Sequence, residues 1–177
     1  MEDYGFERSA LIEVLEYVGQ ILEQRHQQAE IYVFGGAALI LRELRSVATR
    51  DIDAVSRDQA ILEEIGDQLK RELNLVNNPF DSNGTGWISG DETDVNRTVM
   101  QFGALTVAIA SEEALLYLKL NAGRPKDHSD IHRLLDRFTD RTAEEIIAGM
   151  REYLGEYPVP SVDYDDVARR IESHRRA

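Results

Sequence analysis

The chain has 177 residues, no cysteine and a hydrophobic fraction of 42%. That is enough for one packed domain with a helical appendage, and it excludes disulfides, thiolate catalysis and cysteine zinc sites. The net charge of −13 argues against broad phosphate-backbone binding but leaves room for a local basic groove or a basic protein partner.

Residues 7–27 are expected to form an amphipathic helix, because Leu11, Leu15, Val18 and Leu22 recur every three or four positions. Ile31–Phe34 is a short apolar run with strand propensity that leads into Gly35-Gly36. A helix is predicted over Ala37–Leu44, a second strand over Asp51–Val55 and a helix over Ala60–Leu73. Residues 77–96 hold three glycines and one proline among polar residues and are predicted to be loop. Arg97–Phe102 and Leu105–Ala110 have the pattern of a hairpin turning at Gly103.

The rest of the chain is expected to be helical. Ser111 is a plausible N-cap, with Glu112 and Glu113 at the positive end of the helix dipole. Pro125 breaks the pattern, and a further helix is predicted over Lys126–Phe138. Thr142 and Glu145 have the spacing of a capping box. Pro158 and Pro160 mark a linker before a last helix at 163–175. The expected fold class is therefore α+β, a small mixed sheet with flanking helices and a C-terminal helical part. The expected division is a mixed domain over 1–138 and a helical extension over 139–177. No apolar run approaches the ~20 residues of a membrane span. The acidic opening Met1-Glu-Asp-Tyr4 lacks a signal-peptide pattern, so a cytoplasmic location is expected.

Two features carry chemistry. Gly35-Gly36 ends a strand and opens a helix, where glycine permits close backbone approach and the first N–H groups suit a phosphate. On a strand, Asp51 and Asp53 point to the same face, so two hard oxygen ligands converge there and suit Mg²⁺, which takes the rest of its shell from water and substrate phosphate.

The run Phe34-Gly-Gly-Ala-Ala-Leu39, followed by Thr49-Arg-Asp-Ile-Asp53, resembles the signature of the nucleotidyltransferase superfamily typified by DNA polymerase beta. Its Gly-Gly form is similar to the branch of AbiEii-type toxins of bacterial toxin–antitoxin systems. Leu118-Lys-Leu-Asn-Ala-Gly-Arg124 with Lys126-Asp-His-Ser-Asp130 resembles that branch's second motif. The resemblance spans roughly residues 30–135.

It implies a nucleotidyltransferase-like fold, with NTP as substrate and Mg²⁺ on Asp51 and Asp53. Gly35, Gly36 and Arg50 would meet the nucleotide, and Lys119 would neutralise phosphate charge. Asp127 or Asp130 would complete the acidic cluster or position an acceptor hydroxyl on RNA (tRNA among the options) or protein. A cognate toxin or antitoxin protein is the implied partner. The second motif should accordingly pack beside the Asp51/Asp53 strand. The superfamily usually carries a third carboxylate on a later strand, and neither hairpin strand has one. Asp94, just before the hairpin, is a weak substitute. A catalytically degenerate binding module is the alternative reading, whether antitoxin-like or nucleotide-sensing.

Other patterns have blander readings. Asp81–Glu92 fits a calcium loop in its ligand positions, but its flanks do not, so tight calcium binding is not expected and a substrate-side loop bearing Trp87 is preferred. His128 and His132 share a helix face but lack a clear third zinc ligand. Arg169-Arg170 and His174-Arg-Arg176 read as a solvated basic helix face rather than an RNA contact.

Overall fold

The computed structural model describes residues 5–81, 94–155 and 162–176. The Trp87 loop and the Pro158–Pro160 linker lie outside them, as does the proposed calcium loop beyond Asp81.

Helix α1 (Arg8–Gln24) buries Leu11, Leu15, Val18 and Leu22, the stripe its period predicts. Strand β1 (Ala29–Val33) leads into α2 (Gly35–Leu41). Strand β2 (Ile52–Ser56) is followed by α3 (Gln59–Glu72) and the two-residue strand β3 (Phe80–Asp81). The hairpin is β4 (Thr98–Phe102) and β5 (Leu105–Ile109). Together these strands form a five-stranded sheet in the order β3-β2-β1-β5-β4. β1 runs antiparallel to β2 and parallel to β5, so it is the central strand of a mixed sheet. Ile31 and Val33 of β1 are fully buried, as are Ile52 and Ala54 of β2.

The structure departs from expectation at Phe80–Asp81, which was predicted as loop. Backbone pairing to β2 makes it a strand, and two residues are too few for alternation to reveal one.

Helix α4 (Glu112–Ala122) begins as expected, with the Ser111 side chain accepting from the Ala114 N–H. Pro125 opens a 3-10 turn, Pro125–Asp127, which runs into α5 (His128–Leu135). Helix α6 (Ala143–Leu154) carries the complete Thr142/Glu145 capping box, and α7 (Tyr164–Arg176) packs on α6 and α5. Ile146, Met150, Val167 and Ile171 belong to the same buried cluster as the sheet.

The α6 helix is also tied to the sheet by polar groups. The Tyr32 hydroxyl donates to Asp94 Oδ2 at 2.7 Å and lies 3.2 Å from the Tyr153 hydroxyl. Asp94 Oδ2 also accepts from the Ser111 N–H at 2.7 Å. Burial is the largest cause raising both phenols, and Tyr153 is pushed up to about 12, so both stay protonated donors.

Candidate functional site

The chain's first motif is assembled by the β1–β2 pairing. The Phe34 N–H donates to the Asp53 carbonyl at 3.0 Å, which sets the end of β1 level with the start of β2. Gly35 then turns away with φ +65, a left-handed conformation that glycine adopts without strain. A Cβ on Gly35 would land on Asp53 Oδ2, so only glycine lets this carboxylate lie against the backbone. A Cβ on Gly36 would sit 2.9 Å from Thr49 Oγ1 and 3.5 Å from Arg45 Nη1.

Thr49 is nearly buried, and its hydroxyl donates to Asp51 Oδ1 at 3.3 Å. The Thr49 N–H donates to the Phe6 carbonyl at 3.1 Å, so an N-terminal bridge pins the approach to Asp51. Asp51 and Asp53 stay partly exposed while Ile52 and Ala54 between and beyond them are buried. That alternation is the one expected of a strand with acids on one face. Arg50 is exposed beside this pair.

The second motif forms a compact charged cluster. Lys119 Nζ lies 2.7 Å from Asp127 Oδ1 and 2.9 Å from Asp130 Oδ2. Arg124 Nε meets Asp127 Oδ2 at 2.8 Å, and Arg133 Nη1 meets Asp130 Oδ1 at 3.2 Å. All three central side chains are buried, at 6%, 5% and 3% exposure for Lys119, Asp127 and Asp130. Burial alone would raise the Asp127 carboxyl, but the hydrogen bonds and charges of Lys119 and Arg124 outweigh it and hold the carboxyl below its ordinary range.

Arg45 joins the two motifs. Its Nη1 donates to Asp130 Oδ2 at 3.2 Å while lying against Gly36. The α4–α5 segment thus packs beside the first motif, and α2 and α4 are in contact.

Other candidates are placed elsewhere. Asp94 is spent on Tyr32 and the α4 N-terminus, where it fixes structure. His132 packs against His174 with ring centroids 4.6 Å apart and the rings tilted by 40°, and His128 is exposed. No group of three histidines or carboxylates that could hold a metal occurs among the described residues. Arg170 and Arg176 are engaged by Asp166 and Glu172 on their own helix, and Arg175 donates to the Phe138 and Arg141 carbonyls.

Two placements escaped the sequence reading. Asp81 is the register partner of Asp53 on the parallel neighbour strand, as Phe80 is of Ile52. The signal was there as an echo, an apolar–aspartate pair after each connecting segment. Arg45 gave no signal, because Leu41-Arg-Glu-Leu-Arg45 looks like any charged helix end.

Residues 9–141 match the family described as nucleotidyltransferase of unknown function (DUF6036). The chain belongs to this family. The matched nucleotidyltransferase segment contains both motifs and ends before α6. A crystal structure of an antigenic nucleotidyltransferase-like protein from Paracoccidioides brasiliensis is similar over 96% of this chain and 95% of its own, with a TM-score of 0.49 and 16% identity. No functionally curated protein matches the sequence. Among the described residues no helix is long and apolar enough to cross a membrane.

Proposed function

We propose that the chain is a Mg²⁺-dependent nucleotidyltransferase that moves a nucleotidyl group from an NTP to a hydroxyl on RNA, with tRNA among the candidates, or on protein. We place it in the cytoplasm as an AbiEii-like component of a toxin–antitoxin pair, with a cognate protein as partner. The observation that carries the reading is the packing of the Asp53 carboxylate on Gly35 at the strand end where Asp51 also lies. It joins hard oxygen ligands to a backbone that a phosphate can approach.

The donor set fits the metal. Asp51 and Asp53 supply two carboxylates at a partly open strand end, which suits an ion that keeps waters and takes substrate oxygens. Once bound, the metal supplies Lewis-acid polarisation of the phosphoryl oxygens. The chain's own residues orient: the Gly35-Gly36 backbone and Arg50 meet the nucleotide, and the Lys119–Asp127–Asp130 cluster holds the cationic flank. The acceptor oxygen attacks the α-phosphorus, the α–β phosphoanhydride bond breaks, pyrophosphate leaves, and the hydroxyl proton passes to a base.

Neither β4 nor β5 carries a carboxylate, and this supports a second reading, a binding module that no longer catalyses. Incubation with each α-³²P-labelled NTP, Mg²⁺ and a cell extract separates the two. Transfer of label to RNA or protein, lost in Asp53→Asn, is the result expected of the enzyme. Metal-dependent NTP binding without label transfer under any of the four NTPs establishes the binding module instead.

A further inference from the structure

The phosphate tail of a nucleotide needs a cation, and Lys119 spends its ammonium on two buried carboxylates. Arg45 is differently placed. Its side chain is 26% exposed and its Nη1 lies against Gly36, on the flank of the first motif.

The guanidinium is fixed from behind. Nε donates to the Val47 carbonyl at 3.0 Å, and Nη1 donates to Asp130 Oδ2 at 3.2 Å. Asp130 is held in turn by Lys119 and Arg133. A planar guanidinium with two nitrogens anchored has its third fixed in direction, and Nη2 makes no hydrogen bond among the described residues. The cluster is also charge-unbalanced: Lys119, Arg45, Arg124 and Arg133 face Asp127 and Asp130. In a chain of net charge −13, the second motif with Arg45 thus carries surplus positive charge beside a first motif that carries Asp51 and Asp53.

We propose that Arg45 is the residue that contacts the polyphosphate of the bound nucleotide, and that Asp130 is the positioning residue that presents it. Lys119 then acts through Asp130. The assignment rests on the nucleotidyl-transfer reading and deepens it, because it names the ligand class the flank recognises: the polyphosphate tail, not the base or sugar.

The test is calorimetry with Mg²⁺ and inorganic tripolyphosphate, and with each of the four NTPs, on the full chain. Arg45→Ala should weaken both kinds of ligand by roughly tenfold or more, the worth of one charge-assisted hydrogen bond. Arg45→Lys should recover part of the loss. If Arg45→Ala is unfolded at the assay temperature, Arg45→Gln, which keeps the stem and a donor for Asp130, carries the comparison. Asp130→Asn alone should weaken tripolyphosphate, and in the Arg45→Ala background should add nothing, since both act through one contact. Additive losses overturn the positioning role of Asp130. Wild-type affinity in Arg45→Ala, with binding still abolished by Asp53→Asn, overturns the Arg45 assignment and leaves the site intact. If the wild type binds neither tripolyphosphate nor any NTP with Mg²⁺, the assignment and the reading beneath it both fail.

Discussion

The molecule holds two pairs of aspartates in adjacent motifs, and they live in opposite environments. Asp127 and Asp130 are buried and ringed by Lys119, Arg124, Arg133 and Arg45. Asp51 and Asp53 stand partly exposed at a strand end, with Asp53 packed on a glycine backbone. Carboxylates whose charge is met by the protein's own cations hold structure together. On the reading proposed above, the partly exposed pair is the one open to a ligand from solution. The resemblance puts both pairs in one site, and the two environments differ in how open each pair is to a ligand.

The largest expected effect is at the buried pair. Lys119→Met strips one cation from two buried acids and should cost about 3 kcal/mol in urea denaturation, the low end for a broken buried pair because the arginines remain. Asp51→Asn and Asp53→Asn should each stay within about 1 kcal/mol of wild type in either direction, because both acids are partly solvated. Equal losses in all three variants would erase the contrast.

Gly35→Ala sharpens it from the other side. The left-handed backbone should cost about 1–2 kcal/mol, and the new methyl displaces the Asp53 carboxylate. Stability and metal-dependent nucleotide binding should therefore fall together in this variant, measured by denaturation and calorimetry.

Asp94→Asn tests whether a third acid works from the hairpin side. It weakens the hydrogen bonds to Tyr32 and Ser111 and should cost about 1 kcal/mol, while leaving nucleotide binding at the wild-type level. Loss of binding would return Asp94 to the site.

The smallest effect is in the pH profile. The Asp127 carboxyl is depressed in the folded state, so its stabilisation is present above the unfolded-state value of about 3.9 and is lost as pH falls through the lower folded value. Asp127→Asn should flatten the acid limb of the stability profile below about pH 4 and leave its neutral limb unaltered in shape.

Much of this was legible in the sequence. The α1 stripe, the hairpin around Gly103, the Ser111 cap and the Thr142 capping box all appear where spacing put them, because each is a local signal. So did the alternation that sets Asp51 and Asp53 apart from Ile52 and Ala54. What sequence hid was tertiary. The strand at Phe80–Asp81 exists only through its pairing to β2. The commitment of Lys119 to Asp127 and Asp130, and of Arg45 to Asp130 across 85 positions, depends on how α2, α4 and α5 meet. A motif lists charges without saying which of them cancel.

The central claim is that the open pair is the ligand site. The most direct measurement is the melting temperature of wild type and of an Asp51→Asn/Asp53→Asn variant, each alone, with Mg²⁺, with NTP, and with both. The account predicts that metal and nucleotide together raise the wild-type melting temperature more than either alone. It also predicts that the variant melts at or above the apo wild type and shows no such extra rise. A wild type with no joint increment for any of the four NTPs, or a variant that keeps it, would contradict the account.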